Sequence, residues 1–280
     1  MNDVLWFNGR FTTTEERVLR VEDRGFLFGD AVYEVFKFFD RGPVFFREHW
    51  QRLERGLATI EIPNPWDERS FTDTMRELIE RTEFDDGIVY IEVSRGEGER
   101  SHTWADKMKP NAIAFSRRHT FPDPAKKERG IRLVTEEDVR WRHCDVKSVN
   151  LLANILAKQK AQRAGGDEAL LVDDGVVREC SHSSFFIVKD GSVITHPLDC
   201  HILPGVTRDR VIALAGERVE QRYFGLDEVA AADEVFATST SLAVMPVRQV
   251  DDGPQRRRGA VTLELQRLLD AAERSSAQRL

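Results

Sequence analysis

A lysine set just before an apolar helical run is the residue with the most chemical promise in this 280-residue chain. It lies in Asp145-Val146-Lys147-Ser148-Val149-Asn150-Leu151-Leu152. A lysine held against apolar packing loses its proton more readily, and a neutral amine attacks an aldehyde to form a Schiff base. Glu179 is a second candidate, within Val176-Val177-Arg178-Glu179-Cys180-Ser181-His182-Ser183-Ser184-Phe185-Phe186, between two strand-like apolar patches. A carboxylate held there can keep a pyridine nitrogen protonated, which makes the ring a sink for carbanion electrons. Leu203-Pro204-Gly205-Val206-Thr207-Arg208 runs a glycine-bearing loop into a helix, where free N–H groups and the helix dipole suit a phosphate. Thr238-Ser239-Thr240-Ser241 offers further hydroxyls after the apolar Glu234-Val235-Phe236.

Two other places have groups for a carboxylate. Arg95-Gly96-Glu97-Gly98-Glu99-Arg100-Ser101-His102 reads as a flexible loop ending in Arg100 and His102, able to grip a carboxylate in two places. Tyr33 faces away from Val32 and Glu34 on its strand, so its phenol can reach into a pocket. Each segment taken alone has a plainer reading. Lys147 is then a solvated charge, Glu179 a strand-edge acid in water, and Thr207 an N-cap after a Pro-Gly turn. The arginine loop is then a solvated loop, and Tyr33 a core aromatic.

The elements that must position these groups are legible as alternating and helical patterns. Residues 4–7 form a strand closing on the Asn8-Gly9 turn, and residues 31–39 form another ending at Asp40-Arg41-Gly42-Pro43. Residues 47–60 carry Trp50, Leu53, Leu57 and Ile60 at helical spacing, and residues 71–81 repeat the pattern with Met75, Leu78 and Ile79. Residues 88–94 and 112–115 return to β-type composition. The polar, proline-bearing residues 117–127 mark a boundary. Beyond it the reading gives strands at 131–135, 169–173 and 185–189, with helices at 149–164, 207–219 and 261–272. Strands in runs with helices between them favour an α+β fold, and no Gly-x-Gly-x-x-Gly sequence supports a dinucleotide fold.

Composition narrows the class further. With 41% hydrophobic and 32% charged residues the chain is ordinary for a soluble globular protein, and no apolar run is long enough to span a bilayer. The first residues show no secretory pattern, so a cytoplasmic location is expected. A net charge of −7 argues against nucleic acid as a partner, and Arg256-Arg257-Arg258 is too short a basic cluster to reverse it. The 3 cysteines, Cys144, Cys180 and Cys200, lack Cys-x-x-Cys spacing. They read as packing residues in a reducing compartment, and no metal is expected.

Five ordered motifs together resemble the class IV aminotransferases, the pyridoxal-phosphate family of fold type IV. They are Asp23-Arg24-Gly25-Phe26-Leu27-Phe28-Gly29-Asp30, Tyr33-Glu34-Val35, Glu48-His49-Trp50-Gln51-Arg52-Leu53, the Lys147 segment opening at Cys144, and the 203–208 loop. Within the family, Tyr33-Glu34-Val35-Phe36-Lys37 and the Arg100-x-His102 pair are most similar to the bacterial D-amino-acid transaminases.

The resemblance implies a smaller N-terminal α/β domain over residues 1–118, a linker at 119–127 and a larger C-terminal pseudo-barrel domain at 128–280 that binds the cofactor. It implies that Lys147 is the catalytic lysine joined to pyridoxal 5'-phosphate and shuttles a proton between Cα and C4′. Glu179 would pair with the pyridine nitrogen, Leu203 would also contact the cofactor, and Arg52, Val206, Thr207, Ser239 and Thr240 would hold the phosphate. Tyr33, Arg100 and His102 would bind the substrate carboxylate, the last two supplied across a homodimer interface. The implied reaction is ping-pong transamination between a D-amino acid and a 2-oxo acid. The alternatives are a branched-chain L-amino-acid aminotransferase, an aminodeoxychorismate lyase and a noncatalytic binding protein of the same fold. One departure stands out: the family carries asparagine after its Glu-x-Ser-x-Ser run, where this chain has Ser184.

Overall fold

The Asn8-Gly9 turn has positive φ at both residues, 45° and 94°, the left-handed geometry that closes a two-residue hairpin. In the computed structural model, which describes residues 4–280, this turn joins β1 (Val4–Phe7) to β2 (Arg10–Thr13). The chain continues through α1 (Arg24–Phe28), β3 (Ala31–Phe39), β4 (Gly42–Pro43), α2 (Phe46–Thr59), α3 (Glu68–Glu80), β5 (Gly87–Ser94) and β6 (Asn111–Arg117). These strands form an antiparallel sheet in the order β2-β1-β6-β5-β3-β4. One face of β3 buries Val32, Phe36 and Phe38 with Val89 and Ile91 of β5, beneath Trp50, Leu53 and Leu57 of α2 and Phe71 and Met75 of α3. The opposite face is half-buried and carries Tyr33. A period of two on the strand and 3.6 on the helices thus produces one core and leaves one sheet face for other use.

This sheet belongs to the first of two compact units, which runs to Thr120 and also includes Val146–Asn150 and Glu273–Leu280. A linear division at 119–127 leaves those two later segments with the C-terminal half of the chain.

The second unit comprises Phe121–Asp145 and Leu151–Ala272. Its elements begin with α4 (Pro124–Arg129), β7 (Ile131–Glu137), α5 (Leu152–Arg163), β8 (Glu168–Asp173), β9 (Val176–Cys180), β10 (Ser184–Lys189) and β11 (Ser192–Thr195). They continue with α6 (Val206–Ala215), a single 3₁₀ turn at Gly216–Arg218, β12 (Val219–Gln221), α7 (Leu226–Ala231), β13 (Glu234–Ser239) and β14 (Ala243–Val250). The last helix, α8 (Ala260–Ser276), ends in residues counted with the first unit.

The strands form one mixed sheet in the order β12-β11-β10-β13-β14-β7-β8-β9. β9 is an edge strand, yet β10 stands five strand positions away. A flat sheet would separate them by about 24 Å. Only Ser181, His182 and Ser183 join them, a link of about 14 Å at full extension. The sheet therefore has to curl into a half-barrel, and the Cys180 N–H closes the turn on the Ser183 carbonyl at 2.8 Å.

Several elements differ from the pattern expected from sequence, three of them near the candidate site or the boundary between the units. The helix expected from residue 149 starts at Leu152, because the Val149 N–H donates to the Ala31 carbonyl and Ser148 bridges Val32. The polar stretch at 117–127 runs into α4, which the Asp123 side chain caps and Pro124 begins. The helix expected over 207–219 stops at Ala215, where Gly216 takes a φ of 62° and the chain turns into β12. Among the described residues no helix is long and apolar enough to cross a membrane.

Candidate active site

Lys147 lies in the connection between β7 and α5, in the segment that counts with the first unit. Its carbonyl accepts from the Tyr33 N–H at 2.9 Å, so the segment is laid along the start of β3 like a short extra strand. This register brings the Lys147 amine to the Tyr33 hydroxyl at 3.4 Å, with Nζ 4.4 Å from the ring centroid. Lys147 is half-buried and its amine stands against an aromatic surface. Tyr33 stacks on Tyr90 at 5.6 Å, and Tyr90 donates to Glu92 at 2.7 Å. Burial pushes the Glu92 carboxyl above its ordinary value against that hydrogen bond. Tyr90 and Glu92 belong to no sequence motif; their register opposite Val35 and Tyr33 places them on the Tyr33 face.

On the opposite face of β3, Glu34 is wholly buried and receives the Arg52 guanidinium in two bonds, Nε to Oε2 at 2.8 Å and Nη2 to Oε1 at 2.7 Å. His49 Nδ1 lies 3.1 Å from Oε1. Burial pushes the Glu34 carboxyl up, but the charges of Arg52 and His49 outweigh it and hold the group far below the usual carboxylate range. Burial likewise lowers His49 against the attraction of Glu34. Arg52, a candidate phosphate ligand from sequence, is thus fixed by a fork-to-fork bond. Arg100 and His102 lie on an exposed loop of the same unit, and both stand by Phe28: the Arg100 guanidinium is 5.5 Å and the His102 ring 5.9 Å from its ring centroid.

Glu179 belongs to the second unit, on β9, and is 5% exposed, so it is no strand-edge acid in water. Its Oε1 accepts from Arg140 Nη1 at 2.6 Å and from the Leu203 N–H at 3.2 Å. Arg140 is held in turn by Asp138 at 2.9 and 2.8 Å and by the His201 carbonyl at 3.0 Å. Burial raises the Glu179 carboxyl above its ordinary value, with Arg140 and the Leu203 amide opposing the rise. A buried acid left in this state still favours a further cationic partner. Arg140 and Asp138 were not anticipated, and the only clue was that a buried glutamate needs a cation somewhere in the chain. Cys144, close by in sequence, is a buried thiol pushed up to about 12 by burial, as befits a packing residue.

The same unit contains the candidate anion cup. Gly205 is the N-cap of α6, and the first intrahelical bond runs from the Asp209 N–H to the Gly205 carbonyl. The amides of Val206 and Thr207 precede that bond and are left for a ligand or solvent. α6 packs on β13. A Cβ on Gly205 would meet Ser184 Oγ at 3.0 Å, and Ser184 pairs in register with Thr238. The buried Thr238 Oγ1 has no hydrogen-bond partner among the described residues. Ser239 and Thr240 follow at the end of β13, where Ser239 Oγ accepts from the Leu242 N–H at 3.2 Å. A helix terminus, a tight glycine and an orphaned hydroxyl fit a phosphate, and the buried acid at Glu179, which burial raises even beside Arg140, fits a protonated ring.

The α+β fold with its half-barrel sheet is that of the pyridoxal-phosphate enzymes of fold type IV. The amino-transferase class IV family profile matches residues 31–250. The D-alanine aminotransferase of Bacillus licheniformis is 38% identical over 251 residues, 88% of this chain and 87% of that protein. That of Staphylococcus haemolyticus is 35% identical over 272 residues, 94% and 95% of the two chains. Among solved structures, the branched-chain amino acid aminotransferase of Escherichia coli superposes with a TM-score of 0.90 at 25% identity, covering 99% of this chain and 97% of that one. A second branched-chain amino acid aminotransferase, from T.th., in complex with N-(5'-phosphopyridoxyl)-L-glutamate, gives 0.89 at 26% identity, with 98% and 95% covered. The chain belongs to the class IV aminotransferases, which depend on pyridoxal 5'-phosphate.

Proposed function

We propose that the protein exchanges an amino group between a D-amino acid, such as D-alanine or D-glutamate, and a 2-oxo acid, such as 2-oxoglutarate, in ping-pong order. The observation that carries this reading is the Lys147 amine held at Tyr33, in a chain that aligns over most of its length with D-alanine aminotransferases. When bound, pyridoxal phosphate supplies an aldehyde that captures the amino group and a ring that draws electrons from Cα. Lys147 would hold the cofactor covalently and, once displaced by the substrate amine, its freed amine would take the proton from the substrate Cα and return it at C4′. Glu179, fixed by Arg140 and the Leu203 amide, holds the ring nitrogen protonated. The Val206 and Thr207 amides, Ser239, Thr240 and Arg52 hold the phosphate. Tyr33, Arg100 and His102 take the substrate carboxylate.

The working unit is a homodimer in the cytoplasm. Support for the dimer comes from α5, where Leu152 and Ile155 are 69% and 60% exposed and stand on one ridge with Leu156. Such an apolar ridge on a helix is costly to leave in water. A branched-chain L-amino-acid aminotransferase is the second reading, favoured by the structural likeness to the Escherichia coli enzyme. Assay of the purified protein with D-alanine and with L-leucine, each with 2-oxoglutarate, separates the two. Turnover of D-alanine supports the first reading, and turnover of L-leucine alone overturns it.

A further inference from the structure

We propose that Arg24, anchored by Asp30, is a positioning residue for the substrate carboxylate: it fixes the backbone on both sides of His102 and braces the ring on which Arg100 and His102 rest. This rests on the carboxylate-binding role given above to Arg100 and His102. Arg24 is buried, and its Nη1 donates to the Ser101 carbonyl at 2.7 Å and to the Thr103 carbonyl at 3.3 Å. Those carbonyls belong to the two neighbours of His102. Its Nε donates to Asp30 at 2.9 Å, and its guanidinium lies 4.6 Å from the Phe28 ring centroid. Phe28 is the ring beside which Arg100 and His102 also stand.

Asp30 is the hub of this brace. It also accepts from Arg95, Nε at 2.8 Å and Nη2 at 3.1 Å, and the Arg95 guanidinium stacks 3.9 Å from the Trp104 ring centroid. One carboxylate therefore ties down the loop on both sides of His102, through Arg24 at Ser101 and Thr103 and through Arg95 at Trp104. Between them the Thr103 N–H donates to Ser101 Oγ at 3.3 Å and closes a turn with His102 at its tip. Arg100, Ser101 and His102 are themselves exposed, so their arrangement comes from buried groups behind them and not from packing around them. A loop set in advance binds a carboxylate without first having to be ordered. Arg24 spreads its donors over two nitrogens, Nε for Asp30 and Nη1 for the two carbonyls, a span that the single nitrogen of lysine does not cover.

The test compares holoenzyme variants in steady-state assays with D-alanine and 2-oxoglutarate. Arg24→Lys should raise KM for both substrates about tenfold and leave kcat within about twofold. Phe28→Leu, which keeps every charge, should show the same split and serves if Arg24→Lys does not fold. The doubly substituted Arg100→Ala, His102→Ala enzyme should also have a raised KM, and adding Arg24→Lys to it should change KM no further. A full additional rise in that background, or a fall in kcat with KM unchanged, makes Arg24 a general brace and overturns the proposal. If the double variant itself binds substrate as wild type does, the carboxylate role of Arg100 and His102 falls, and the role of Arg24 with it.

Discussion

Arg140 reaches Glu179 across 39 residues of sequence and donates to its Oε1 at 2.6 Å. The bond orients the acid without neutralising the cost of its burial, since the carboxyl still stands above its ordinary value. On the proposed reading a protonated ring nitrogen would complete the compensation and tie the electrostatics of β9 to the reaction.

Glu179→Gln keeps the shape of the side chain and removes its charge. The amide cannot hold a ring nitrogen protonated, so kcat should fall about 100-fold or more. Stopped-assay rates with D-alanine check this, and a wild-type kcat would show that the acid plays no part.

Glu34→Gln should destabilise the first unit by about 3–5 kcal/mol, because it leaves Arg52 buried without its counter-charge. Its folded-state carboxyl titrates below its ordinary value of 4.5. The stability it contributes is therefore complete above that value and is lost as pH falls through the lower folded value. The gap in unfolding free energy between wild type and variant should be constant from neutral pH to about 5 and shrink below that. Denaturant titrations across that range measure it, and a gap independent of pH would contradict the assignment.

Leu152→Glu combined with Ile155→Glu places two charges on the exposed ridge of α5. If the proposed dimer forms through this ridge, the variant should sediment as monomer with little loss of helix content. A dimer that persists would move the interface elsewhere.

Ser184 stands where the family carries asparagine, and its Oγ sits 3.0 Å from the Cβ position of Gly205. Gly205 brings its backbone close to this hydroxyl, so Ser184→Asn should crowd the loop and cost about 1–3 kcal/mol. Thermal melts of the two proteins test this. An equal or higher Tm for the variant would show that the loop has room.

The helices α2 and α3 are legible because their apolar residues repeat at 3.6, and β3 because a run rich in Val, Tyr and Phe ends at the turn residues Asp40-Arg41-Gly42-Pro43. The candidate anion cup was legible because a glycine loop and its helix are local in sequence. What sequence reading could not supply were partners separated along the chain: Arg52 for Glu34, Arg140 for Glu179, and Arg24 for the carbonyls at 101 and 103. Helix ends failed for the same reason. α8 runs to Ser276 and not to 272, because Glu273 forms a buried ion pair with Lys37 and Ser276 Oγ accepts from the Phe45 N–H. Local propensity contains no record of such distant contacts.

Borohydride reduction of the protein loaded with pyridoxal phosphate, followed by peptide mapping, tests the central claim most directly. A single stable adduct should form on the peptide bearing Lys147, and none after Lys147→Ala. An adduct on a different lysine, or wild-type turnover by the Lys147→Ala protein, would contradict it.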